Sequence, residues 1–226
     1  KLNKDYILWE RTRFRFINYV GFINFGNVYI EILPKSHSEG IESFRDERKA
    51  LINMLRETRY INVKYSDLSR LDFEKENLLE IFAYLLSEKL KNELSKGLYK
   101  EYININENLS LLKGKINLKG EIKNKSKKSI KVNCDYDDFS ENNIFNKIFN
   151  SVSLFLMKKV RSLRTIENFK AINMMLSDVE VIEITQELIN RIIFNRNNQR
   201  FYECFVLIKK LIFGYSALGK KGKNKG

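Results

Sequence analysis

The chain has 226 residues, 43% of them hydrophobic and 12% aromatic, enough to bury one large core or two small ones, which excludes wholesale disorder. Lysine and arginine total 41 against 28 acids, a formal charge of +13 that favours polyanionic partners, nucleic acid or an acidic protein face, and fits equally a lysine- and asparagine-rich composition bias. Two distant cysteines, Cys134 and Cys204, argue against a disulfide framework or zinc knuckle; with no apolar run near the roughly 18 residues of a membrane span and no signal-peptide pattern, they point to a reducing, cytoplasmic setting.

Residues Tyr19 to Leu33 alternate in polarity around Gly26-Asn27, a turn signal, and predict a β-hairpin. The only proline, Pro34, ends it, and Lys35 to Gly40 reads as a polar loop, so residues 1–40 form an N-terminal β element. From Ser43, a plausible N-cap, Phe44, Leu51, Met54 and Leu55 follow a helical stripe. A stronger helix carries Leu78, Ile81, Phe82, Leu85, Leu86, Leu90 and Leu94, and Gly97 stops it, completing a helical segment over 41–100.

A β-hairpin finger is predicted over 101–135. Tyr102 to Asn106 fits a short strand. Ile116, Leu118 and Ile122 then alternate with polar residues, and after a loop at 124–128 so do Ile130, Val132 and Cys134, the pattern of a second hairpin with one apolar face. Its other face and tip carry Lys113, Lys115, Lys119, Lys123, Lys125, Lys127, Lys128 and Lys131 against Glu121 alone. Desolvating that many ammonium groups would cost several kcal/mol each, so the tip must project into solvent or a partner.

Residues 136–218 read as a helical segment. Ile144, Phe145, Ile148, Phe149, Val152, Phe155, Leu156 and Val160 mark one helix, Ile166 to Leu176 a shorter one, and Phe201, Phe205, Ile208, Leu211 and Ile212 a terminal one after a polar loop at Asn195 to Arg200. Residues 219–226, glycine and lysine with no apolar anchor, read as a flexible tail or linker. The fold class is α+β.

Catalytic chemistry is poorly provided for. The single histidine, His37, lies in a polar loop, which argues against a histidine metal cluster or a Ser-His-acid triad, and neither nucleotide-binding glycine motif occurs. Two Glu-x-Lys pairs, Glu47-Arg48-Lys49 and Glu121-Ile122-Lys123, lack the preceding strand aspartate that a metal-dependent nuclease needs. The acidic knot Asp135, Asp137, Asp138 and Glu141 is better explained as N-terminal complement to the next helix, capped by Ser140 or Asn142, than as a metal site. No catalytic residue and no metal ligand is therefore assigned.

The order of these pieces resembles McrC proteins. The resemblance is carried by Asn108-Leu-Ser-Leu-Leu-Lys-Gly-Lys-Ile-Asn-Leu118, the basic hairpin, and Tyr136-Asp-Asp-Phe-Ser-Glu-Asn-Asn-Ile-Phe-Asn146-Lys147 before an apolar helix. Gly21-Phe-Ile-Asn-Phe-Gly-Asn-Val-Tyr-Ile-Glu-Ile-Leu-Pro-Lys35 and Arg196-Asn-Asn-Gln-Arg-Phe-Tyr202 extend it over most of the chain. It implies a partner, a hexameric McrB-like AAA+ GTPase that binds GTP and magnesium and is stimulated by this region, within a complex that acts on DNA near modified cytosines. It further implies a magnesium-dependent nuclease of the PD-(D/E)-x-K type following Gly226, so the 226 residues themselves are not expected to cut DNA and carry no cofactor. Partner contacts are expected at the eight finger lysines and, in the segment after them, at Asp137, Asp138 and Asn146. A different class of function, a nucleic-acid-binding module whose lysines meet phosphates without reading bases, fits the same charge.

Overall fold

The computed structural model describes residues 7–12, 14–16, 20–25, 28–34, 41–58, 61, 69, 71–73 and 75–216. Strands β1 (Ile7–Trp9) and β2 (Phe14–Phe16) pair antiparallel, as do β3 (Gly21–Phe25) and β4 (Val28–Ile32), whose register sets Phe25 opposite Val28. The second pair is the hairpin expected there. Its turn residues Gly26 and Asn27, the loop with His37, and the tail from 219 lie outside the described residues.

Helix α1 (Ile41–Glu57) starts two residues before Ser43, so the expected cap falls inside the first turn. Helix α2 (Leu78–Ser95) is capped by Asn77, whose side chain accepts the Glu80 amide at 3.0 Å, and ends before Gly97 at φ +113°, a conformation that costs glycine little. Beyond it come β5 (Glu101–Leu109), β6 (Lys115–Ile116), α3 (Leu118–Ser126) and β7 (Val132–Ser140). Four helices follow, α4 (Ile144–Met157), α5 (Leu163–Met175), α6 (Gln186–Asn190) and α7 (Tyr202–Ser216).

Helix α2 is the centre of the body: it packs against α5 and α7, α4 packs on α5, and α7 reaches β3. That position explains why α2 buries residues on every side, from Leu78 to Leu94, rather than along one stripe. At the α7 contact Gly214 comes so close to Phe22 that a Cβ there would stand 2.4 Å from the ring. A half-buried carboxylate fastens the N-terminal hairpin to two helices. Glu31 accepts the Tyr29 hydroxyl at 2.9 Å, Arg48 of α1 at 2.7 Å, and the Leu78 amide at 2.6 Å, so the negative charge also faces the N-terminus of α2. Burial, together with the Glu31 charge beside it, raises the Tyr29 pKa.

The aromatic heart lies between α4 and α7. Phe149 is fully buried, its ring 5.1 Å from Phe201 and 5.3 Å from Phe205, with Phe145 closing the group at 5.2 Å from Phe205. Truncating Phe149 to alanine removes both the burial and these ring pairs, so we expect a loss of about 3–5 kcal/mol in chemical denaturation, enough to unfold much of a marginally stable population.

The finger departs from its predicted form. Strand β5 pairs along its whole length with β7, Glu101 opposite Ser140 and Leu109 opposite Val132, and β6 flanks β7 on the other edge. The strand expected through Leu118 and Ile122 is instead α3. Leu118 and Ile122 are four residues apart, which suits a helix as well as a strand, and the apolar residue that a strand would need at 120 is glycine. Asn117 starts the helix by accepting the Gly120 amide at 3.0 Å. The helix ends in a Schellman motif, with Ser129 N–H donating to the Asn124 carbonyl at 3.0 Å and Lys128 N–H to the Lys125 carbonyl at 3.1 Å, while Lys128 itself takes φ +52°. The acidic knot is also corrected: Asp135, Asp137 and Asp138 lie in β7, and the cap of α4 is Asn143, which accepts the Asn146 amide at 3.1 Å.

Candidate partner-docking finger

The finger holds itself together with amides and carboxylates instead of an apolar interior. Across β5 and β7, Asn104 faces Asp137, Asn106 faces Asp135 and Asn108 faces Asn133. Each rung is hydrogen-bonded or bonded diagonally: Asn104 donates to Asp137 at 3.2 Å, Asn106 to Asp135 at 2.5 Å and to Asn133 at 2.9 Å, and Asn133 to Asn108 at 2.8 Å. Helix α3 lies over this ladder. Asn117 donates to Asp135 at 2.8 Å, and buried Asn124 reaches both Asn108 at 2.8 Å and the Lys131 carbonyl at 3.0 Å. Such a network orients groups sharply, because every partner left unmatched in a buried site costs about 1–3 kcal/mol.

Polar inside, the finger is lysine-rich and apolar outside. All eight lysines are exposed. Lys113 is the anchored one, 3.6 Å from the Asp138 carboxylate and 3.7 Å above the Tyr136 ring centroid. Tyr136 in turn donates its hydroxyl to Glu107, which pushes its pKa up to about 12. Within the described residues the other seven lysines have no carboxylate partner. Among them stand Leu111, Leu112, Leu118, Ile122 and Ile130, between 60% and 99% exposed. Three of them, Leu118, Ile122 and Ile130, are residues that hairpin alternation assigns to a covered face. No second layer covers them, and bare leucine and isoleucine clustered at one end of a molecule mark an interaction surface.

The remaining predicted contacts divide. Asp137 is exposed and Asp138 half-buried, both occupied by the finger's own Asn104 and Lys113. Asn146, expected at the partner surface, is fully buried; it donates to the carbonyls of Tyr99 and Glu141, each at 2.8 Å, and so pins the root of the finger to α4. Glu141 pairs with Lys100 at 3.0 Å on the same root. Of the two Glu-x-Lys pairs, Glu121 receives the Asn133 amide at 3.4 Å, and among the described residues no group of three or more histidine, cysteine, aspartate or glutamate side chains is placed to hold a metal ion. No helix of the described residues is long and apolar enough to cross a membrane.

Comparison with known proteins agrees with this architecture. No curated protein matches the chain. The cryo-EM structure of the Thermococcus gammatolerans McrBC complex contains a chain that superposes at TM-score 0.66 with 24% identity, over 87% of this chain and 59% of that one. A half-complex of Thermococcus gammatolerans McrB AAA+ hexamers with bound McrC gives TM-score 0.67 and 24% identity, over 91% of this chain and 50% of the other, so this chain spans between half and three-fifths of the chains it resembles. The family model described as McrBC 5-methylcytosine restriction system component matches residues 14–226, and the chain therefore belongs to that family.

Proposed function

We propose that this chain is the adaptor part of an McrC-like subunit, which docks its finger on a hexameric AAA+ GTPase of the McrB type and stimulates GTP hydrolysis. In the full-length family it would couple that motor to a nuclease that restricts DNA bearing modified cytosine. The observation that carries the reading is the finger surface itself, with seven lysines lacking a carboxylate partner in the described residues and five bare aliphatic side chains on a rigid polar frame. Lysines alone would suit a phosphate backbone equally well, but exposed leucine and isoleucine gain nothing from phosphate and are stabilised by burial against protein, at about 25 cal/mol per Å². Acidic pore loops lined with apolar side chains would match both. GTP and magnesium belong to the motor in this scheme, and free, buried Cys134 and Cys204 suit the reducing cytoplasm where such a complex works.

The direct test adds the purified chain to a McrB-type GTPase and follows GTP turnover and co-elution in size-exclusion chromatography. We expect a complex of higher mass and a turnover rate that rises with chain concentration to saturation. Unchanged turnover across a range of concentrations, without co-elution, overturns the reading.

A further inference from the structure

Helix α1 presents a second basic feature, on the body and outside the finger. Arg45, Lys49, Asn53 and Arg56 recur at intervals of four, four and three residues and so share one helix face, adjoining the stripe with which Leu51 and Ile52 enter the core. With Leu71 and Phe73 opposite, they line a groove of about 560 Å³, to which Ser69 adds a hydroxyl. The far wall is fastened to the helix, because Arg48 bonds simultaneously to Glu31 and, at 3.0 Å, to the Phe73 carbonyl. Among the described residues that line the groove there is no acid, although Glu57 of α1 pairs with Arg56 at 2.7 Å.

We propose that this groove binds the sugar-phosphate backbone of duplex DNA, giving the adaptor a DNA contact separate from its motor contact. The cations Arg45, Lys49 and Arg56 are spaced along one face of the helix. From Arg45 to Arg56 the helix rises about 16 Å, whereas phosphates on one DNA strand advance by about 3.4 Å each, so the row matches several successive phosphates rather than a single one. Leu71 and Phe73 are each only 8% exposed, so the wall offers no free ring on which an unpaired base could stack. Among the described residues the groove carries no acceptor for base edges beyond Asn53 and Ser69, which fits positioning without sequence reading. This assignment does not depend on the finger's role.

The test measures binding of a fluorescent mixed-sequence duplex to the full chain by anisotropy over a salt series, for the parent, for Arg45→Gln with Lys49→Gln, and for Lys125→Gln with Lys127→Gln. All four positions are exposed, and unchanged melting temperatures will confirm that the fold survives. Both pairs remove two charges. The α1 pair should weaken binding at least about tenfold at low salt and lower the slope of log K against log salt by about 2, since each phosphate contact contributes about 0.9. The finger pair should stay within about twofold of the parent. Equal losses from the two pairs would mean that net charge alone is felt, and parent-like binding by the α1 pair would remove the groove from DNA binding; either result overturns the proposal. So does displacement of the duplex by inorganic phosphate or GTP beyond that of chloride at matched ionic strength, because it would identify a single-phosphate site.

Discussion

Glutamates in place of Lys125, Lys127 and Lys128 are expected to abolish stimulation of a McrB-type GTPase by this chain while leaving its melting temperature nearly unchanged. The three side chains are exposed and have no carboxylate partner within the described residues, so their replacement removes no internal contact. Surface changes of this kind ordinarily alter stability by less than about 0.5 kcal/mol. Lys128 sits at φ +52°, but glutamate meets the same backbone cost as lysine there. Against an acidic partner the effect is large. A pair of unit charges 4 Å apart is worth about 1 kcal/mol in water and about 4 kcal/mol where the effective dielectric falls near 20, and reversal converts each attraction into a repulsion. Three such swings should weaken docking by two orders of magnitude or more, on the order of 3 kcal/mol. GTP turnover titrated with the variant chain reads this directly. Stimulation at parental concentrations would show that the tip lysines do not face acidic groups, and would shift the docking role to the bare leucine and isoleucine side chains alone.

Periodicity revealed the body of the molecule more clearly than the finger, and the physical reason is local. Helices α2 and α4 bury apolar residues at three- and four-residue spacing, so burial wrote itself into composition, and the β3–β4 hairpin carried alternation around a turn dipeptide. In the finger, burial is achieved by asparagine. Asn124, Asn133 and Asn143 are less than a tenth exposed, yet in sequence they resemble loop and cap residues, and their role appears only when Asn108, Asn106 and Tyr99 arrive from 16 to 44 residues away. The aliphatic residues nearby misled in the opposite direction: Ile122 and Ile130 alternate as if covered, and they stand free. Projection of a lysine-bearing arm was legible from desolvation cost alone. The helix within it was announced only by Asn117 as a cap and by glycine where strand alternation required an apolar residue. The groove on α1 was illegible because its wall, Leu71 and Phe73, lies beyond the helix, and only the fold brings the two sides together.

Gly120→Ala tests whether the order of the finger matters, independently of its charge. A Cβ at position 120 would stand 2.0 Å from Asn133 Oδ1 and 2.8 Å from Asn133 Cβ. The obstructing side chain is not a flexible end: Asn133 is buried in β7, accepts from Asn106 and donates to Asn108, and its backbone amide meets Glu121. Relief requires α3 to lift from β7 or Asn133 to leave the ladder, forfeiting two or three hydrogen bonds in a shielded setting, roughly 2–4 kcal/mol. Alanine is favoured over glycine inside a helix by only about 1 kcal/mol, so the steric loss prevails. Hydrogen exchange should therefore show lost protection from Leu118 to Asn133 with the aromatic heart around Phe149 as protected as in the parent, and stimulation of the GTPase should fall severalfold or more. All eight lysines are still present in this variant. A finger that acted as an unstructured basic tether would stimulate as well as before, and full stimulation together with lost protection would remove the asparagine frame from the docking mechanism.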